Sequence, residues 1–253
     1  TAALIAAGAG CAVAKHGNRS ATSRSGSADL LEALGVRIDL EPHAVAECID
    51  DTGFGFMFAP AHHQATRFVV PVRKQLAVRT IFNFLGPLTN PAGARRQLIG
   101  VSDRAFLDRI ATAAGRLGAI HVLVVSSHDG VDELSTAGPT DVVEVRAGTD
   151  GAQPLVERYT ITPTDLGLES TDPDKLAGGS PQDNAQITRA ILAGEAGPHR
   201  DIAVLNAGGA IYVAGRADSL EAGVRAAEAA IDGGQAAHTL ERLLARSAEL
   251  APA

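Results

Sequence analysis

The chain has 253 residues, with 22 Lys plus Arg against 29 Asp plus Glu and a formal charge of −7. A hydrophobic fraction of 45% and a charged fraction of 20% are those of a folding sequence that can bury a sizeable core, which excludes a disordered chain. The acidic balance argues against a nucleic-acid binder, no apolar run reaches the ~18 residues of a membrane helix, and two cysteines, Cys11 and Cys48, point to a reduced, cytoplasmic setting rather than a disulfide scaffold.

Thr1 to Gly8 is Ala-rich and predicts a helix; its apolar opening without a Met reads as a chain that starts inside a helix, a fragment. Cys11 to Ala14 is a short apolar run of the buried-strand type, followed by a polar loop from Lys15 to Gly26. Ser27 to Leu34 predicts a helix stopped by Gly35, and Pro42 opens another that runs to about Ile49. Gly55 to Phe58 is a short strand, and apolar residues at helical spacing predict a helix over Ala61 to Ala77. Phe84 to Gly93 is a loop punctuated by Gly86-Pro87 and Asn90-Pro91.

A strand at Gln97 to Val101, a helix at Asp103 to Leu117 and a strand at Ile120 to Val125, a β-branched and nearly continuous apolar run, come next. Further strands are expected at Asp141 to Val145 and Val156 to Ile161. From Gln182 onward the pattern is helical, Ala-rich through Ala203 to Ala214 and amphipathic from Leu220 to Leu250, with a break at Gly233-Gly234. Alternating strands and helices imply an α/β fold with a central sheet flanked by helices, one catalytic-size domain over residues 1–253; strand order is not readable from the pattern.

Three segments carry chemistry. The loop from Lys15 through His16, Gly17, Asn18, Arg19, Ser20, Ala21, Thr22 and Ser23 to Ser27 combines three cations with five hydroxyls between a strand and a helix. Such a loop suits a phosphate or pyrophosphate at the carboxyl end of a strand, and equally suits a solvated turn that caps a helix. Pro60, His62 and His63 precede Arg73, whose planar fork matches a carboxylate; paired histidines alone are a weak metal signal. Asp132 and Glu133, in His128-Asp129-Gly130-Val131-Asp132-Glu133, offer adjacent oxygen ligands of the kind Mg²⁺ shares with substrate phosphates, although Asp-Gly is also plain turn chemistry.

KHGNRSATSRSGSADLLEALGV, FMFAPAHHQATRFVVPVRKQL, IFNFLGPLTNPA, HDGVDEL and NAGGAIYVAG, in that order from Thr1 to about Ala237, closely resemble the anthranilate phosphoribosyltransferases of tryptophan biosynthesis. The resemblance implies a cytoplasmic transferase that joins the phosphoribosyl group of phosphoribosyl pyrophosphate to the amine of anthranilate and uses Mg²⁺. It also implies the fold of the nucleoside phosphorylase and phosphoribosyltransferase catalytic domain, with most of an N-terminal helical domain and its glycine-rich phosphate loop upstream of Thr1, and a homodimer in the full-length protein. Carried over by position, Thr1, Lys15, His16, Gly17, Asn18, Arg19, Ser20, Ala21, Thr22, Ser23 and Ser27 would surround phosphoribosyl pyrophosphate. His16, Asn18, Pro60, His63 and Arg73 would face anthranilate, with Arg73 on its carboxylate, and Asp132 and Glu133 would hold Mg²⁺. Lys15, Asn18 and Arg73 are the candidate catalytic residues, and no general base is assigned. The competing readings are a related phosphoribosyl- or glycosyl-transferring protein, a nucleic-acid-binding relative and an inactive fragment.

Overall fold

Two sheets hold the strands of this protein, seen in a computed structural model that describes residues 1–20, 24–62, 85–148 and 152–252. Strand β1 (Val13–Gly17) pairs in parallel with β2 (Phe54–Phe58), from Val13 opposite Phe54 to Gly17 opposite Phe58. The strand expected at Cys11 to Ala14 is therefore shifted: Lys15, His16 and Gly17 belong to the sheet, because their backbones complete the ladder with β2 whatever their side chains. The second sheet has the order β3 (Arg96–Gly100), β4 (His121–Ser127), β5 (Thr140–Arg146), β6 (Leu155–Ile161). Its first pair is parallel and the other two antiparallel.

Between the sheets' strands, α1 (Ala2–Gly8) precedes β1, and α2 (Ser27–Leu34) and α3 (Pro42–Thr52) join β1 to β2. Helix α2 stops where Gly35 turns left-handed (φ 100°), and the Val36 N–H then reaches back to Leu31 O at 2.9 Å, a closure that a residue with a Cβ adopts only under strain. Pro42 stands at the first position of α3 as its sequence predicts. A single helical turn, α4 (Ala59–His62), follows β2. The helix expected over residues 61–77 lies outside the described residues beyond His62.

Helix α5 (Leu107–Arg116) follows β3, and four helices close the chain: α6 (Pro181–Leu192), α7 (Pro198–Val213), α8 (Leu220–Asp232) and α9 (Gln235–Glu249). Ser180 caps α6 and Ser219 caps α8, each accepting a backbone N–H of the first turn. Strand β4 is buried along its whole length and its alternate side chains enter two different cores. Val122 and Val124 join Val143, Val145, Ile110 and Ala114 on the α5 side. Leu123 and Val125 join Val142, Val204 and Ile211 on the α7 side, in the larger core that also includes α1 to α3. Helices on both faces are what a strand buried on both sides requires.

Helices α7 and α8 approach through glycine. A Cβ on Gly223 would stand 2.3 Å from Gly208 O, and one on Gly208 would stand 2.7 Å from Val224 N. Among the described residues no helix is long and apolar enough to cross a membrane.

Candidate active site

The carboxyl ends of β1 and β2 lie side by side, which brings the turn after Gly17 beside the turn after Phe58. Lys15 and His16 sit on β1 itself, partly buried, and Gly17 ends the strand where a Cβ would press within 2.8 Å of the Phe56 ring. Asn18 Oδ1 accepts the Arg19 N–H at 2.8 Å, tightening the turn. The Arg19 guanidinium forks onto the Glu32 carboxylate, reaches Asp29 at 3.3 Å and lies 5.5 Å from the centre of the Phe58 ring. Exposed Pro60 occupies α4, and His62 donates Nδ1–H to Phe58 O at 3.1 Å.

Asp29 organises this turn, and its role was not read from the sequence. Its Oδ2 accepts the N–H of Ser20 at 3.0 Å and of Gly26 at 2.8 Å, and these two bonds, with Arg19, hold its carboxyl below the ordinary range. The available signal was an acid three residues after Gly26, the position from which a side chain reaches back over a helix start. Two of the backbone donors that the loop composition offers to an anion are thus already used. Gly26 is required by proximity: a Cβ there would stand 2.5 Å from Ser20 N and 2.9 Å from Asn18 O. Ser27 opens α2. Ala21, Thr22, Ser23, His63 and Arg73 lie outside the described residues.

Asp132 and Glu133 are exposed on the connection between β4 and β5. Their loop returns to the end of β3, where a Cβ on Gly100 would fall 1.6 Å from Asp132 O, so only glycine permits the approach. Glu133 faces Lys15. Loss of hydration pushes the Lys15 ammonium down from its usual value while the Glu133 charge pushes it up. The Glu133 carboxyl is raised first by loss of hydration and next by neighbouring Asp132, against the favourable field of Lys15. Thr1 Oγ1 lies 2.7 Å from Thr188 Oγ1 on α6.

The structure thus brings together Lys15 and Glu133, more than a hundred residues apart in sequence, with the Asn18 turn directly beyond Lys15. Asn90, from the Gly86 to Pro91 punctuation, ties the neighbouring loop to the site by donating Nδ2–H to Ala14 O at 3.0 Å. An ammonium facing two adjacent carboxylates beside a glycine-supported turn can hold a polyanion together with a divalent cation. Among the described residues no three His, Cys, Asp or Glu form a closed metal cage. Two exposed carboxylates fit the chemistry of Mg²⁺, which takes one or two protein carboxylates and completes its shell with water and phosphate oxygens.

The glycosyl transferase family, a/b domain, matches residues 1–237. The anthranilate phosphoribosyltransferase of Rubrobacter xylanophilus is 54% identical over 251 residues, covering 99% of this chain and 72% of that protein. The chain belongs to the anthranilate phosphoribosyltransferase family. The family enzyme from Symbiobacterium thermophilum is 49% identical over 96% of this chain and 70% of its own length. Among solved structures, the anthranilate phosphoribosyltransferase of Thermus thermophilus superposes with a TM-score of 0.89 at 46% identity, over 98% of this chain and 72% of that one. The Saccharomyces cerevisiae enzyme, solved with phosphoribosyl pyrophosphate and Mg, gives 0.87 at 28% identity over 98% and 69%. A variant of the same yeast enzyme was solved with 4-fluoroanthranilate.

Proposed function

We propose that this protein transfers the phosphoribosyl group of phosphoribosyl pyrophosphate to the amine of anthranilate, giving N-(5-phosphoribosyl)anthranilate and pyrophosphate, in tryptophan biosynthesis. The observation that carries the reading is the facing of Lys15 and Glu133 beside the Asn18 turn, an arrangement with one pole for an anion and one for a cation. The buried thiols of Cys11 and Cys48, neither in a disulfide, accord with a cytoplasmic enzyme.

In this reading Lys15 meets the pyrophosphate from the end of β1, where partial loss of water makes its charge more effective than it is in solution. The nearby Glu133 carboxylate favours the charged form of the lysine. Asp132 and Glu133 hold Mg²⁺, which when bound offsets the negative charge that builds on the leaving pyrophosphate. Thr1, His16, Gly17, Asn18, Arg19, Ser20, Ala21, Thr22, Ser23 and Ser27 line the phosphoribosyl pyrophosphate side. Arg19 acts there through the turn it braces, since its guanidinium is engaged by Glu32 and Asp29. His16, Asn18, Pro60, His63 and Arg73 form the anthranilate side, with the Arg73 fork on the carboxylate. Anthranilate's amine attacks the sugar carbon as pyrophosphate departs, so holding the two substrates in line supplies much of the acceleration without a covalent enzyme intermediate.

Anthranilate fluorescence, followed with phosphoribosyl pyrophosphate and Mg²⁺ while pyrophosphate release is measured in parallel, tests the reaction. Equal loss of anthranilate and gain of pyrophosphate is expected. Pyrophosphate release that ignores anthranilate would defeat the acceptor assignment. Arg73→Ala should raise the KM for anthranilate at least tenfold with little change for phosphoribosyl pyrophosphate, because a charge-assisted bidentate pair is lost. Equal effects on both substrates would remove that role from Arg73.

A further inference from the structure

We propose that Asn206, on α7, is a positioning residue that fixes the height of the Asp132–Glu133 pair; the inference rests on the reading of that pair as the Mg²⁺ site. Asn206 is buried, at 8% exposure. Its Oδ1 accepts the Leu134 N–H at 3.1 Å, and its Nδ2 donates to Leu134 O at 2.8 Å and to Ile202 O at 2.9 Å. One carboxamide therefore satisfies both backbone groups of the residue next to Glu133, as a neighbouring strand would, in a loop that has no ladder of its own. The bond to Ile202 O, one turn back in α7, orients the amide within its helix.

The rest of the loop shows why this clamp matters. At its start Asp129 Oδ1 accepts the Val131 N–H at 3.2 Å and its Oδ2 accepts the Ser135 hydroxyl, so the loop closes on itself. Those bonds shape the loop without locating it in the protein. Location comes from Gly100 beneath Asp132, from Thr140 Oγ1 accepting the Ser135 N–H at 3.1 Å, and from α7 beside Leu134. Gly209, three residues beyond Asn206, admits the Leu134 side chain, since a Cβ there would stand 2.9 Å from Leu134 Cδ1. Helix α7 is itself seated on α8 through Gly208 and Gly223, which makes it a firm reference. Mg²⁺ demands near-ideal octahedral geometry, so a small drift of two carboxylates is felt in affinity.

The test uses Mn²⁺ with inorganic pyrophosphate as the probe, read by water-proton relaxation on the intact chain, with Asn206→Leu and Asn206→Asp. The apparent Kd for Mn²⁺ should rise about tenfold or more, the effect typical of residues that hold metal ligands in place. Amide hydrogen exchange should quicken over residues 130–135 and little elsewhere. Ile110→Ala, which opens a cavity in the core on the α5 side, away from α7, should lower Tm and leave Mn²⁺ affinity unchanged. Wild-type Mn²⁺ affinity in the Asn206 variants would overturn the proposal, as would an equal weakening in Ile110→Ala. If Asn206→Leu fails to fold, Asn206→Asp decides, since it keeps the acceptor for the Leu134 N–H and replaces the donor to Leu134 O and Ile202 O with a carboxylate oxygen. Asp132→Asn with Glu133→Gln separates the two claims. Loss of Mn²⁺ binding there with normal binding in the Asn206 variants refutes the positioning role alone, whereas wild-type binding in the double variant removes the metal reading and this inference with it.

Discussion

Acid should destabilise this protein through Glu144 in particular. The side chain is only 3% exposed on β5 and receives four donors. His121 Nε2 and Arg146 Nε donate to Oε1 at 2.7 Å each, Tyr212 O–H to the same oxygen at 3.0 Å, and Tyr159 O–H to Oε2 at 2.8 Å. Burial alone would raise the carboxyl's pKa, but these donors, His121 foremost, outweigh it and bring the pKa from 4.5 down to about 2. The sign follows from the depression. The stabilisation is fully present above the unfolded value of 4.5 and is lost as pH falls from there toward about 2. At roughly 1.4 kcal/mol per unit, the difference amounts to about 3 kcal/mol, a large share of the total stability of a typical domain. Urea unfolding at a series of pH values between 2 and 7, on wild type and Glu144→Gln, isolates this share from that of other carboxylates. The glutamine accepts at one end only, so its NH₂ faces donors, and the variant should be weaker by about 3 kcal/mol at neutral pH. Near pH 2 the two proteins should converge. A gap that stays constant across the range would show that Glu144 is not held ionised by its donors.

Gly26→Ala should displace the Asn18–Ser20 turn, because its Cβ meets backbone at 2.5 Å. Calorimetric affinity for phosphoribosyl pyrophosphate is expected to fall at least tenfold while stability changes by about 1–3 kcal/mol, and unchanged affinity would take the turn out of the binding site. Gly223→Ala should force α7 and α8 apart and cost about 1–3 kcal/mol in urea unfolding, with wild-type stability counting against backbone contact at that seam.

Much of the fold was legible where a local rule acts. The nearly continuous apolar run of β4, the stop of α2 at Gly35, the start of α3 at Pro42 and the four closing helices follow from periodicity and capping. Strand β1 was drawn too early because its last residues, Lys15 to Gly17, are polar and earn their place only through pairing with β2 some forty residues away. The division into two sheets and the switch from parallel to antiparallel at β4 depend on distant partners, which a pattern does not carry. In the candidate site, Lys15, Asp132 and Glu133 stood out by chemistry, and Asn18 through the family resemblance alone. Asp29, Asn90 and Asn206 did not, for each works by bonding backbone, and any Asp or Asn in a polar stretch reads alike until its partners are known. The engagement of Arg19 by Glu32, thirteen residues on, was hidden for the same reason.

Strand β4 serves two cores at once, and this restricts where the gene can gain or lose codons. A shift of one residue along β4 would exchange the side chains of both cores together, sending Val122 and Val124 toward α7 and Leu123 and Val125 toward α5. Length changes are therefore confined to the connections beyond the strand ends, where Asn18, Pro60 and Asp132 reside. The body of the protein is held to a fixed register, and each insertion or deletion it survives must leave that register untouched.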